Sequence, residues 1–180
     1  MIIDLHCHPN LKSFNSGFPN PKANMWEKIE HVIENKFAKS INDLTLNISK
    51  ESQCNLDNMV AGNVRVFHIS LYPTERGFLH LRNVPTALLG KNKINITQSV
   101  VTGYSADCIK EQKKHYKYFE ELNKEYNYVK NQQGKSPDGK NEFVIVNNNN
   151  ELQKALEKDN TFIGIITIEG THVFDTGAPE

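Results

Sequence analysis

The chain has 180 residues, of which 38% are hydrophobic and 23% charged, enough to bury a core within one globular domain. Its 21 basic residues balance its 21 acidic ones, so no excess positive charge is available to displace counterions from a nucleic acid, and nucleic acid is not an expected partner. A membrane span of about 18 apolar residues is absent from the sequence, as is a signal peptide, which would show a basic start and an apolar core.

The first element in chain order is a strand over residues 2–8, "IIDLHCH". Successive strand side chains point to opposite faces, so Asp4, His6 and His8 are expected on one face. Cys7 is expected on the other face, as a small buried residue. The sequence therefore predicts that one carboxylate and two imidazole side chains lie close together near the end of the strand.

Two long helices are predicted from apolar spacing. Residues 23–39 carry apolar side chains at every fourth position, which is typical of one helix face. Residues 105–132 show an amphipathic pattern with Ser105 as a candidate N-cap, and their apolar positions are Ile109, Tyr116, Phe119, Leu122, Tyr126 and Val129. The intervening residues 77–104 contain Pro and Gly between short apolar runs, and we expect helix or loop there.

The other segments alternate between helix and strand. A short helix, "NLDNMVA", is expected to end at Gly62 and to lead into a second strand, "VRVFHISLYP". A surface loop, "QGKSPDGKN", precedes the short strand "EFVIV", the capped helix "NNNNELQKALEKDN" and the third long strand "TFIGIITIEG". Strands separated by helices predict an α/β fold with parallel strands and with the helices on the outer side of the sheet.

Polar residues stand at the ends of two of these strands. His6 and His8 end the first strand, and Glu169 ends the third. In α/β barrels, active-site groups lie at the carboxyl ends of the strands. Two imidazoles and a carboxylate suit zinc, which can keep one position open for water. The sequence therefore predicts a zinc site formed by His6, His8 and Glu169, with Gly170 allowing the chain to bend after the strand.

Other polar residues have different expected roles. Asp4 is expected to pair with, or orient, a metal-bound histidine and not to bind the metal itself. Tyr72, at the mouth of the second strand, either packs or forms a pocket wall. His68, in mid-strand, is expected to be a core histidine. The remaining histidines on helical or loop segments are expected to be solvated: His31, His80 and His115.

Cysteine usage bears on the compartment. Cys7, Cys54 and Cys108 are an odd number without close spacing, so neither a disulfide framework nor a CxxC zinc knuckle is expected. Reduced thiols are typical of the cytoplasm, which is the expected location.

Three stretches, "DLHCHP", "LDNMVAGNVRVFHISLYPTE" and "NELQKALEKDNTFIGIITIEGTHVF", resemble in that order the N-terminal half of the membrane (renal) dipeptidase family, a metal-dependent branch of the amidohydrolase superfamily. The resemblance implies that residues 1–180 are a single domain, the first half of a (β/α)8 barrel. A complete barrel needs about 250 residues. The homodimer is the oligomer that the resemblance implies.

The same resemblance implies roles for individual residues. His6 matches the first metal ligand, and His8 takes the place of the Asp in the family's HxD pair. Glu169 matches the catalytic carboxylate that bridges two zinc ions. His172 matches the histidine of the family's EGxH motif, and no role is assigned to it. The remaining ligands, two His and an Asp, would lie beyond residue 180.

The implied activity is hydrolysis of a dipeptide or similar small amide by water activated at two zinc ions. Two alternatives stay open. HxH is the form more typical of the wider superfamily, whose metal-dependent nucleases and phosphoesterases also begin with DxHxH. The second alternative is a binding module without catalytic activity, since part of the ligand set is not present in these residues. The EGxH motif and the match at the second strand favour the dipeptidase interpretation.

Overall fold

The structure is a computed structural model that describes residues 1–29, 54–79, 98–99, 102–113 and 117–174. The strands are β1 (Ile2–Cys7), β2 (Val64–Leu71), β3 (Gly134–Lys135), β4 (Glu142–Ile145) and β5 (Thr161–Ile168). The helices are α1 (Leu11–Asn15), α2 (Leu56–Ala61), α3 (Arg76–Leu79), α4 (Ala106–Gln112), α5 (Tyr118–Asn131) and α6 (Asn149–Leu156), followed by a 3₁₀ turn at Thr171–Phe174.

The strands form one sheet in the order β1-β2-β5-β4-β3. All neighbours are parallel except β3 and β4, which form a short antiparallel hairpin. Strand β3 lies within the predicted surface loop, and β4 is the short strand predicted after it. The predicted α/β class and the parallel arrangement of the three long strands are therefore confirmed. Because these strands are parallel, their carboxyl ends lie at the same edge of the sheet.

One face of the sheet carries the larger core. Phe67, Ile69 and Leu71 of β2 are fully buried there, against side chains of α2 and α5. Phe67 stacks on Phe143 of β4, with ring centroids 5.9 Å apart. We call this the helix-packed face. It contains Cys7, as predicted, and the Cys7 thiol donates to the backbone carbonyl of His68 at 3.2 Å.

Helix α6 packs against the opposite face, which differs from the expectation that all helices lie on one side. Leu152, Ala155 and Leu156 contact a cluster formed by Val66, Val146 and Ile163. The reason is the position of β4, which precedes β5 in the chain but lies beyond it in the sheet. A right-handed return from β4 to β5 places the connecting helix on the face opposite to that used by the β1-to-β2 connection.

The predicted helix over residues 105–132 is wrong as a single element. Ser105 does cap α4, since its side chain accepts the Cys108 N–H. A second helix, α5, begins at Tyr118, after Lys117, whose backbone is not helical (φ −130°, ψ 86°). Residues 114–116 lie outside the described part. Phe119 is largely exposed, because the buried face of α5 runs through Tyr118, Leu122, Glu125 and Val129 and leaves position 119 at its margin.

Residues 23–29, where a helix was expected, form turns. The side-chain oxygen of Asn24 accepts the N–H groups of Trp26 and Glu27, and this local turn competes with helix formation. Met25 and Trp26 are buried nonetheless. Residues 30–39 lie outside the described part, as do most of residues 77–104 and the histidines His31, His80 and His115.

The remaining elements follow the prediction. Helix α2 ends at Gly62, and Asn148 caps α6 by accepting the Glu151 N–H. His68 differs from the expectation of a core histidine, because it is only half-buried. The cysteines Cys7, Cys54 and Cys108 are free thiols. No helix within the described segments combines the length and hydrophobicity needed to cross a bilayer.

Candidate metal centre

His6, His8 and Glu169 come together at the carboxyl edge of the sheet. The Nε2 atom of His6 lies 3.3 Å from Glu169 Oε2, and the Nε2 atom of His8 lies 3.1 Å from the same oxygen. One ligand atom from each of the three lies within 4.8 Å of the other two. The three side chains form what we call the metal-binding group.

The strand ends place these side chains. His6 is in β1, His8 directly follows it, and Glu169 directly follows β5. The Glu169 N–H donates to the carbonyl of Leu71 at 3.0 Å, so the ladder between β2 and β5 extends to the site. Gly170 then turns the chain with φ +82°, a conformation that residues with a Cβ rarely adopt. Glu169 is therefore held by regular backbone pairing on one side and a sharp turn on the other.

Asp4 does not share the face of His6 and His8, so the expectation from strict alternation is wrong. Asp4 pairs with Phe67 and Cys7 pairs with Ile69, so three steps along β1 match two along β2. This irregularity is a β-bulge, which changes the face on which later side chains lie. Asp4 therefore lies with Cys7 on the helix-packed face.

Asp4 orients neither imidazole. Its carboxylate Oδ1 accepts the backbone N–H of His6 at 3.0 Å, which stabilises the bulge. Burial raises the pKa of Cys7, and the nearby Cys54 and Asp4 raise it further. Asp4 thus stabilises the backbone conformation at His6, and its negative charge lies on the helix-packed face, near Cys7.

Ser70 of β2 is the residue that orients both imidazoles. Its backbone carbonyl lies 2.8 Å from His8 Nδ1, and its Oγ lies 3.0 Å from His6 Nδ1. No signal in the sequence marked Ser70, because its role depends on the register between β1 and β2. Metal-bound histidines usually donate their second ring N–H to such a group.

The hydrogen bonds determine which ring nitrogens carry protons. A carbonyl only accepts, so His8 Nδ1 is protonated and donates to Ser70. Thr167 Oγ1 donates to the carbonyl of Ile69 and therefore accepts from Ser70 Oγ, 3.2 Å away. Ser70 Oγ, having donated its proton, accepts from His6 Nδ1. In the neutral form of each ring the lone pair is therefore on Nε2, facing Glu169.

This arrangement fits a zinc ion. Glu169 Oε2 is buried and, with both rings in the neutral form described above, accepts no hydrogen bond within the described part of the chain. Two imidazole lone pairs and a carboxylate oxygen face one another, which is unfavourable unless a positive charge lies among them. Ligand atoms in a tetrahedral zinc site with bonds of about 2.0–2.2 Å are about 3.4 Å apart. The observed separations of 3.1 and 3.3 Å are close to that value.

The site is open to solvent on one side. The side chains of His6, His8 and Glu169 are 58%, 25% and 40% exposed, respectively. An ion held by these three groups would keep a position accessible to water or substrate, as catalytic zinc sites do. Exposure thus distinguishes this site from a closed structural zinc site.

Tyr72 forms a wall beside this opening. Its ring centroid lies 5.9 Å from that of His8 and 6.0 Å from that of His172. Burial, together with the charges of Glu75 and Glu169, raises the pKa of the Tyr72 phenol, so it stays protonated. Tyr72 therefore presents an uncharged aromatic surface next to the metal-binding group.

His172 does not face the metal-binding group. Its Nε2 donates to the Pro73 carbonyl at 2.9 Å, and its ring packs edge-on against Tyr118 at 4.8 Å. A Cβ on Gly170 would lie 2.5 Å from the His172 ring. His172 therefore connects the turn after β5 to the segment after β2, and both the positive φ of Gly170 and the nearby His172 ring disfavour a side chain at position 170.

The fold and site define a class: an α/β protein with a candidate divalent-metal centre at the carboxyl edge of a parallel sheet. Comparison of the chain with protein families, with curated proteins and with solved structures gives no match.

Proposed function

We propose that this chain carries part of a zinc-dependent hydrolase centre that cleaves the amide bond of dipeptides or similar small amides. One observation carries the proposal: His6 and His8 donate through Nδ1 to the hydroxyl and the backbone carbonyl of Ser70, and this directs their Nε2 lone pairs at the buried Glu169 Oε2. Ligands held in advance in this way are typical of metal sites.

Each residue has a defined task in this proposal. His6 and His8 bind one ion through Nε2, and Ser70 holds both rings in the required tautomer. Glu169 binds the same ion through Oε2 and offers its second oxygen to a second ion, the bridging role that the family resemblance implies. When bound, zinc supplies a Lewis acid that lowers the pKa of water and polarises a substrate carbonyl.

The surroundings suit a small amide substrate. Tyr72 offers an uncharged aromatic wall next to His8. The negative charge of Glu169 is expected to be neutralised by the metal, so an uncharged amide carbonyl can approach without repulsion. The "EGTH" stretch after β5, with Glu169 in the metal-binding group and His172 behind it, agrees with the dipeptidase resemblance.

We also propose that the sheet belongs to a (β/α)8 barrel. Its three long strands, β1, β2 and β5, lie side by side in the sheet in the order in which they occur in the chain, as consecutive barrel strands do. In this proposal the β3–β4 hairpin and α6, which packs on the opposite face, are an insertion between the second and third barrel strands. Strand β4 pairs with residues 161–164 of β5, so the remainder of that edge of β5 is open for a further strand within the described part. At the other edge, the apolar side chains Ile2, Ile3 and Leu5 of β1 are exposed, which is typical of a strand that gains a partner.

The first test is zinc binding by the purified protein, measured by competition with a chromophoric chelator. We expect one ion to bind to the wild type, and His8→Ala and Glu169→Gln to weaken binding at least tenfold. Glu142→Gln is the matched control, because Glu142 lies at the start of β4 and pairs with Lys158. Equal zinc affinity for the wild type and both site variants would refute the proposed site.

The substrate class is tested by activity assays on the longest available protein that contains residues 1–180. Dipeptides and a phosphodiester are offered in parallel, with and without added zinc. Dipeptide hydrolysis that requires zinc and is lost in Glu169→Gln supports the proposal. Cleavage of the phosphodiester alone would favour the nuclease or phosphoesterase alternative. Zinc binding without hydrolysis of either substrate would favour a binding module without catalytic activity.

A further inference from the structure

Glu125 is a fully buried carboxyl group that the proposed chemistry does not use. It lies in α5 and its exposed fraction is 1%. A buried carboxyl group costs free energy unless hydrogen bonds compensate for the lost water. Its Oε1 lies 2.5 Å from Asn10 Nδ2, and its Oε2 accepts the backbone N–H of Tyr72 at 3.0 Å.

Both partners of Glu125 directly continue the strands that form the metal centre. Asn10 is two residues beyond His8, and its backbone carbonyl accepts the Phe14 N–H, so it begins α1. Tyr72 is two residues beyond Ser70. One carboxyl group on α5 therefore connects the end of β1 to the end of β2.

We propose that Glu125 is a positioning residue for the metal-binding group, holding the segments after β1 and β2 together so that His8 stays on Ser70 with its Nε2 towards Glu169. This inference rests on the proposed function, since it assigns a support to the same site. The side-chain hydrogen bonds of Glu125 go to Asn10 and Tyr72 and not to the metal-binding group, so its effect is transmitted through these two residues.

The hydrogen-bonding pattern predicts which substitution should be tolerated. Burial raises the pKa of Glu125 to about 8, so the neutral acid predominates at pH 7. Asn10 Oδ1 has no hydrogen-bond partner among the described residues. If the Asn10 amide is rotated by a half-turn, Glu125 can donate to Oδ1 through Oε1 and still accept from Tyr72. A glutamine at position 125 can make the same two hydrogen bonds.

The chain offers a matched control one helical turn earlier. Glu121 is also buried in α5, but it accepts from Tyr104 and from Gln112 Nε2, which lie away from the strand ends. Substitution of Glu121 therefore removes a buried carboxyl group from the same helix without removing the link between β1 and β2. Comparison of the two positions separates positioning from general stability.

The experiment compares zinc affinity in Glu125→Ala, Glu125→Gln and Glu121→Ala, using chelator competition under conditions where circular dichroism shows folded protein. We expect Glu125→Ala to weaken zinc binding about tenfold, as loss of supporting groups commonly does, and Glu125→Gln to stay within about twofold of wild type. Glu121→Ala should lower stability but leave zinc affinity unchanged. Wild-type affinity in Glu125→Ala, or an equal loss in Glu121→Ala, would overturn the proposal.

A second measurement does not require metal. Amide hydrogen exchange of Tyr72 should be faster in Glu125→Ala than in wild type and unchanged in Glu125→Gln. If Glu125→Ala does not fold, Asn10→Ala removes only the β1 contact and should still weaken zinc binding severalfold; wild-type affinity in that variant would overturn the inference. If the wild type binds no zinc, the proposed function fails, whereas the exchange of Tyr72 still reports on the link made by Glu125.

Discussion

The Nδ1 atom of His8 lies 2.8 Å from the backbone carbonyl of Ser70, and this hydrogen bond determines which nitrogen of His8 is free to bind a metal. Because a carbonyl cannot donate, the ring proton is on Nδ1 and the lone pair is on Nε2. The same serine contacts His6 through its hydroxyl. One residue of β2 therefore orients both His6 of β1 and His8, which follows β1, and this relationship leads to the first prediction.

Ser70→Ala should weaken zinc binding about tenfold by releasing the His6 ring. The backbone carbonyl that holds His8 is unchanged, so binding should not be abolished. Chelator competition measures the affinity, and Ser136→Ala is the control, because Ser136 is also buried but lies in the β3–β4 hairpin. If Ser70→Ala binds zinc as tightly as Ser136→Ala, Ser70 does not orient the ligands.

Gly170→Ala should destabilise the protein by about 1–3 kcal/mol and weaken zinc binding. The residue has φ +82°, and the new Cβ would lie 2.5 Å from the His172 ring. Urea unfolding measures the change in stability. Gly139→Ala separates the two causes, since Gly139 has φ +72° with no atom within 4 Å of its added Cβ. An equal loss of stability in both variants would mean that the His172 ring moves aside without a measurable cost in free energy.

Gly164→Ala should destabilise the sheet by about 1–3 kcal/mol through overpacking. A Cβ at this position would lie 2.6 Å from Ile69 Cδ1 and 2.9 Å from the Phe143 ring. Ile69→Val removes the Cδ1 atom, so the double variant should recover part of the loss. A double-mutant cycle from urea unfolding gives the coupling, and strict additivity of the two changes would contradict the predicted contact.

Stability should fall with rising pH because of Glu125. Burial raises its pKa from 4.5 to about 8 in the folded protein, with a smaller contribution from Glu121. The folded state therefore holds a proton that the unfolded chain releases, so this contribution is complete below about pH 4.5 and is lost as pH rises to about 8. The loss amounts to a few kcal/mol.

Glu125→Gln removes this titration and supplies the comparison. Between pH 5 and pH 8 the free energy of unfolding should decline less in Glu125→Gln than in wild type, because glutamine stays neutral throughout. Urea titrations of both proteins at several pH values measure the difference. Parallel curves over this range would show that Glu125 is not held as the neutral acid.

The elements that the sequence predicted correctly depend on local chemistry. Alternating and β-branched residues predicted β1, β2 and β5, and local capping predicted the start of α6 at Asn148. Parallel strands bring their carboxyl ends to one edge, so the expected meeting of His6, His8 and Glu169 followed from the strand order. These inferences required no knowledge of which residues lie opposite one another.

The features that only the tertiary structure decided depend on register and on packing between distant segments. The bulge that moves Asp4 to the helix-packed face exists only in the pairing of β1 with β2. Ser70 reaches both histidines from 62 and 64 residues away, and Glu125 reaches Asn10 from 115 residues away. The local sequence shows how side chains alternate along each strand. The register between two strands depends on how their side chains pack, which is a property of the folded chain.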